Sequence, residues 1–249
     1  MNELTQTITS ALLLEDTAFE KMRDAENGFA RGLMTIVAIS LIVGLVISLV
    51  GFIGAVRTSP AAEMAKFQQG MEQMLDQMRA FGAFGGDEEF WRIFMQNWQA
   101  GIEMGAKIAE VAVETTPAPK PVVDFFQALG RWLSYPFGWI STWMLYGVVT
   151  LLFAKLLGGT ATIREMLAAT SLVAVPHILD AFSFIPYIGS LVGLIAFIWG
   201  VAIYVKGTAV ANRFDLGRAI LAIVAPFIIL FALIAIAVLL LVLLIIINT

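Results

Sequence analysis

Apolar and polar positions segregate along this chain in blocks the length of whole helices. Five long runs stand out, at about 32–56, 137–157, 163–184, 187–206 and 219–247. The last is the purest: Ala219 to Ile247 is 29 residues without a charged side chain. As a helix it extends about 40 Å, more than the roughly 30 Å hydrocarbon layer of a bilayer. Such a segment has no polar face to offer water, so lipid is the solvent to reason with. In lipid an open chain satisfies its backbone hydrogen bonds only as a helix. The pattern therefore predicts an all-α fold, a polytopic integral membrane helical bundle with five transmembrane helices. Pro176 and Pro226 predict kinks, and Pro186 the turn between the third and fourth spans.

Between the first two spans the pattern changes to amphipathic periods, which predict an inserted extramembrane helical hairpin with a Pro-rich linker over 57–131. Ser59-Pro60 reads as an N-cap followed by proline at the first helical position. Met64, Phe67, Met71, Met74, Met78 and Phe81 then alternate spacings of three and four, a heptad seam. Gly82, Gly85 and Gly86 break that helix and Asp87 can cap a second. Its stripe runs Trp91, Met95, Trp98, Ile102, Gly105, Ala109 and Ala112. The two stripes suit burial against each other, and the Met-rich seam is also a candidate partner-contact surface. Thr115 to Pro121 reads as an extended linker of polyproline character. Val122 to Leu133 reads as an interfacial helix leading into the second span, beside the aromatic cluster Trp132, Tyr135 and Trp139.

The chain thus divides into an N-terminal segment 1–31, a first span 32–56, the insertion 57–131 and a four-span region 132–249. Segment 1–31 is polar, and Leu12, Leu13, Leu14, Phe19 and Met22 make it partly amphipathic. Its six acids against three bases argue against docking on anionic lipid by charge. A protein partner, or the chain's own loops carrying Lys206, Arg213 and Arg218, suits it better.

Orientation follows from the short loops. Lys155 and Arg164 flank the second-to-third connection; Lys206, Arg213 and Arg218 flank the fourth-to-fifth. The stretch Asp180 to Tyr187 and the C-terminal Asn248-Thr249 carry no Lys or Arg. Basic residues stay cytoplasmic, so the expectation is a cytoplasmic N-terminus. The C-terminus and the 57–131 loop then lie on the outer or lumenal side.

Composition narrows the chemistry. Of 249 residues 59% are hydrophobic and the net charge is −4, which leaves no electrostatic footprint for nucleic acid. Cysteine is absent, so disulfides and thiolate metal sites are excluded. His177 is the only histidine, so a two-histidine zinc motif cannot exist, and no G-x-S-x-G turn accompanies it. Asp180 and Asp215 fall on opposite sides of the expected topology and cannot form an aspartyl pair. Neither catalysis nor a cofactor or metal is expected, and an intramembrane hydrolase is disfavoured.

One intramembrane polar pair remains, His177 and Asp180, at a spacing that shares one helix face. Ionisable groups at membrane depth are functional candidates by default. The plainer reading has Asp180 reaching the outer interface and His177 bonding a neighbouring helix; the sharper one is a proton relay. Small residues give a packing signal: Ser40, Gly44 and Ser48 in the first span, Gly189, Gly193 and Gly200 in the fourth. Such stripes let helix backbones approach closely, within one bundle or between copies.

The second half of the chain resembles a known family. Gly158-Gly159-Thr160 precedes Thr162-Ile163-Arg164-Glu165-Met166-Leu167 and an apolar stretch reaching Val175-Pro176. Leu194 to Gly200 with Trp199, then Gly207, then Arg218-Ala219 complete the order. This is similar to the Yip family, five-span membrane proteins first known as partners of Ypt/Rab GTPases, and to its prokaryotic-type members. The likeness covers about 130–240 and, more loosely, the first span. It implies a cytoplasmic N-terminus, a C-terminus on the far side and, in eukaryotic members, membrane-shaping or trafficking partners. Family members that work with Rab proteins carry an Asp-Leu-Tyr-Gly-Pro type motif before the first span. No Tyr or Pro precedes Pro60 here, so Rab-type GTPase binding does not carry over. The expected role is a non-enzymatic scaffold acting through helix packing and contacts with membrane lipid, a protein partner or itself. The alternative is a small oligomeric transporter or channel-like subunit using His177 and Asp180, with Thr170 or Ser171 as further candidates for its path.

Overall fold

The computed structural model describes residues 2–57 and 118–248, and between them only 69, 70, 73, 92, 95–98, 100–102, 104, 105 and 107. The whole seam from Met64 to Phe81 lies outside the described residues, as do Trp91, Ala109 and Ala112. Of the second stripe, Met95, Trp98 and Ile102 are helical and half-buried and Gly105 is helical and exposed; the neighbouring Gln96, Asn97, Ala100 and Gly101 are exposed too.

The described elements are all helical. They run α1 (Asn2–Leu12), α2 (Asp16–Asp24), α3 (Gly28–Arg57), α4 (Lys120–Leu156), α5 (Ile163–Thr170), α6 (Ile188–Asn212) and α7 (Leu216–Asn248). Two 3₁₀ segments, Ser171–Ala174 and Pro176–Phe182, continue α5. Five stretches are long and apolar enough to cross a membrane: α3, α4, Ile163–Phe182, α6 and Leu216–Ala237 of α7. The chain is a multi-pass membrane protein with the expected all-α architecture.

The structure revises three local expectations. The interfacial helix and the second span are one helix of 37 residues, with Pro136 inside it. Lys120 and Pro121 form its first turn, where proline's missing N–H costs nothing. The third span is not a kinked α-helix; it tightens to 3₁₀ winding after Thr170. Side-chain hydroxyls there compete for backbone carbonyls, Thr170 Oγ1 donating to Met166 O at 2.8 Å and Ser171 Oγ to Ala168 O at 2.7 Å. Pro176 then has no N–H for Leu172 O, and the Val175 amide takes that carbonyl at 3.0 Å instead. Segment 1–31 holds two helices, α1 and α2, and the start of α3.

Local signals explain the boundaries. Thr162 and Glu165 form a reciprocal capping box at the start of α5: Thr162 Oγ1 accepts from the Glu165 amide, and Glu165 Oε2 from the Thr162 amide at 2.6 Å. Gly158 turns the chain out of α4 with φ +89°, a conformation that glycine adopts without strain. Arg213, in the left-handed region, ends α6 by returning its amide to Ala209 O and Val210 O.

The chain divides into two compact units, residues 1–47 with 131–249, and residues 48–130. In the second, Phe52 meets Phe125 edge-on at 6.2 Å, and Lys120 Nζ reaches Ala55 O and Asp124 at 2.7 Å each. In the first, Ile36 of α3, Trp143 of α4, and Leu167 and Ala174 of the third span form one buried cluster. A second joins Phe19 and Met22 of α2 to Leu172, Val175 and Ile203. The N-terminal helices belong to this core.

Candidate functional site

The polar pair sits on the 3₁₀ segment Pro176–Phe182. Three residues make one 3₁₀ turn, so positions i and i+3 eclipse. That winding aligns His177 with Asp180, and His177 Nδ1 lies 2.7 Å from Asp180 Oδ2. Both are largely buried, with side chains 16% and 22% exposed. The indole of Trp139 on α4 packs edge-on against the imidazole, with ring centroids 4.6 Å apart.

The other wall is the small-residue face of α6. A β-carbon at Gly200 would lie 2.9 Å from His177 Nε2 and 3.7 Å from Val173. One at Gly193 would lie 4.0 Å from Asp180 Oδ1. Gly189 abuts the backbone of Ser183, and Ala196 between them is fully buried. The glycines of the fourth span thus admit the 3₁₀ segment and its polar pair within the same chain. On the first span Gly44 faces the Tyr135 side chain, 2.9 Å from where a β-carbon would stand. Ser40 is buried and donates to Val37 O at 3.1 Å; Ser48 is buried too.

Asp180 holds Nδ1 of the imidazole, and Nε2 lies beside Gly200 without a hydrogen-bond partner among the described residues. Among the described residues no group of three or more His, Asp or Glu side chains could hold a metal ion. Thr170 and Ser171 do not join the pair: their hydroxyls bond Met166 O and Ala168 O, and Thr170 Oγ1 also accepts Trp143 Nε1 at 3.3 Å.

A second polar constellation, at the far end of α6, was only partly legible. Arg213 bonds Glu165 at 3.0 Å and Thr160 at 3.3 Å, and Thr160 N reaches Asn212 O at 3.4 Å. This ties the α4–α5 connection to the α6–α7 connection. Asn212 is fully buried, its amide donating to Thr208 O at 3.0 Å while its Oδ1 has no hydrogen-bond donor and lies against Gly159.

The N-terminal helices reach the same end. Lys206 pairs with Asp16, and Arg23 donates to Val210 O at 2.9 Å, a carbonyl in the last turn of α6. Arg23 also clasps Asp24 with two bonds of 2.7 and 2.8 Å. That hydrogen bond holds the Asp24 carboxyl below the usual carboxylate range and pushes the Arg23 guanidinium up. Of the three loop bases expected to receive this segment, Lys206 does so; Arg213 binds Glu165, and Arg218 pairs with Asp215 at 3.3 Å. Arg23 and Trp199, whose indole donates to Leu12 O at 3.0 Å, were missed as docking residues. Their signal was a buried-type residue, Phe19, in an otherwise charged helix.

Compared with known families, the chain matches the Yip1 domain over residues 10–247. The match bears out the resemblance drawn from Gly158–Gly159–Thr160 onward and extends it to nearly the whole chain. No curated protein and no solved structure matches it.

Proposed function

The chain belongs to the Yip1-domain family, and on that premise we propose that it is a non-enzymatic membrane scaffold acting through helix packing and protein or lipid contacts. The observation that carries this reading is the bond between His177 and Asp180 inside the bundle. Carboxylate and imidazole engage each other at 2.7 Å between Trp139 and the glycine face of α6, the arrangement of a packing element. A translocation path would need these groups to face a polar conduit with Thr170 and Ser171, whose hydroxyls are bonded within their own segment.

The orientation proposed is N-terminus cytoplasmic, C-terminus and the 57–131 loop on the outer or lumenal side. Supporting it, the two basic connections meet through Arg213, Glu165 and Thr160, and Asp16 and Arg23 join them at that end. Basic loops favour the cytoplasm. The partner surfaces are the exposed face of α2 and the 57–131 insertion.

Two measurements test the reading. Purified protein in proteoliposomes should pass no more ion or solute than protein-free vesicles, and His177-dependent flux would overturn the scaffold role. A photo-crosslinker at Glu20, exposed on α2, should give a discrete adduct in native membranes that disappears when Phe19→Ala loosens the helix. Only diffuse adducts would count against a contact surface there.

A further inference from the structure

The depth at which the N-terminal helices meet α6 carries a consequence for lipid. Leu12 O accepts the indole N–H of Trp199, and Trp199 stands near the middle of the 25-residue helix Ile188–Asn212. Trp199 lies thirteen positions before Asn212, about 20 Å of helix at 1.5 Å per residue. Asp16, by contrast, pairs with Lys206, only about 9 Å from that end. Arg23 meets Val210 in the last turn. Along the chain from Leu12 to Arg23 the contacts therefore climb α6 from mid-span to its polar end.

The connection between α1 and α2 is built for an apolar medium. Leu12 closes α1, and Leu13, Leu14 and the exposed Glu15 connect it to α2, with Leu14 in the left-handed region at φ 58°. Every amide of the turn finds a carbonyl in α1: Leu13 N to Thr9 O and Leu14 N to Ala11 O at 3.0 Å, Glu15 N to Ser10 O at 2.9 Å. The Thr9 hydroxyl bonds Thr5 O at 3.0 Å. Amides satisfied within the segment meet the donor half of what lipid demands of a backbone. Leu12 and Leu14 pack against the buried cluster that contains Phe19, Leu172 and Ile203, while Leu13 is 65% exposed.

We propose that the Leu12–Leu14 turn is inserted in the acyl region of the leaflet at the C-terminal end of α6, with the Asp16–Lys206 pair at its headgroup level. The partner of this surface is phospholipid acyl chain. Segment 1–31 is then a half-inserted part of the membrane domain, and the charged face of α2 is what reaches water. Insertion by an apolar tip needs no anionic headgroup, which agrees with the acidic charge of the segment. The proposal requires the chain to be multi-pass and does not depend on the scaffold role, so either can fail alone.

The absence of cysteine makes the test direct. Single cysteines at Leu13→Cys, Glu20→Cys and the exposed first-span position Met34→Cys are labelled in the full chain in phosphatidylcholine vesicles. A membrane-impermeant maleimide should react at least ten-fold slower at 13 than at 20, with 13 resembling 34. Equal reactivity at 13 and 20 overturns the proposal. A second readout leaves the turn unaltered: phosphatidylcholine carrying a photoreactive group in its acyl chain is crosslinked to the unsubstituted protein. Adducts on Leu12–Leu14 support insertion; adducts confined to the spans overturn it, even if the cysteine variants misfold.

Discussion

The third and fifth spans sit in one membrane and are packed in opposite ways. Of the apolar stretch of Ile163–Phe182, 61% is buried within the protein, against 11% for Leu216–Ala237. The third is the more polar by sequence, with Arg164, Glu165, Thr170, Ser171, His177 and Asp180, and it is the inner one. In water the most apolar segment goes inside; in a bilayer the lipid is as apolar as Leu, so that ordering has no driving force. What gathers helices there is close packing and polar groups that lipid cannot satisfy. The third span supplies both: Ala168, Ala169 and Ala174 are buried, and its hydroxyls and ionisable pair find partners inside the chain.

The sharpest way to break this contrast is to add volume where the third and fourth spans touch. A β-carbon at Gly207 would stand 2.9 Å from Ala169 O and 3.3 Å from Thr170 Cα. Those are backbone atoms and cannot yield. Gly207→Leu should cost about 3 kcal/mol or more, read as loss of a cooperative thermal transition in detergent.

Removing volume should show the asymmetry between the spans directly. Leu172, 1% exposed, is predicted to cost about 2 kcal/mol when changed to Ala. That is the low end for a core leucine, because the cavity term remains while lipid replaces water as the reference. Leu233→Ala on α7, where the side chain is 58% exposed, should stay within about 0.5 kcal/mol of the original. Equal losses at both positions would remove the distinction between an inner and an outer span.

His177→Ala leaves Asp180 without its partner and should cost about 1–3 kcal/mol, measured as a lower melting temperature. An unchanged melting temperature would sink the packing role of the pair.

The smallest effect concerns the end of the bundle. Asp24 titrates below its ordinary range because Arg23 hydrogen-bonds it. A depressed folded value means that the stabilisation is complete above about pH 4, the unfolded carboxylate value, and fades as pH falls through the folded one. The pair is exposed on the Asp24 side, so Asp24→Asn should change stability by no more than about 0.5 kcal/mol at neutral pH. That difference should vanish in acid unfolding curves.

Much of the fold was legible from periodicity. The five spans and the glycine face of α6 follow from local rules of length, spacing and residue type. The candidate site was legible only as a spacing. That His177 and Asp180 share a face could be read from i and i+3. That the face is a 3₁₀ turn, closed by Trp139 on one side and Gly200 on the other, could not. Three-residue winding depends on which carbonyls Thr170 and Ser171 occupy and on what Pro176 leaves open. The N-terminal segment was harder still: a charged amphipathic helix reads alike whether it floats free or seats Phe19 among Leu172, Val175 and Ile203.

By itself the chain's pattern of apolar blocks decided that this protein lives in lipid, crosses it as helices and keeps its basic loops together, because those outcomes depend on length and composition. Tertiary structure alone decided which span is inner, how the polar pair is enclosed and where the first two helices dock. Those outcomes rest on close approach between residues as distant as Leu12 and Trp199 or Arg23 and Val210. In a bilayer every span is greasy, so hydrophobicity marks membership of the bundle while contact geometry assigns each helix its place.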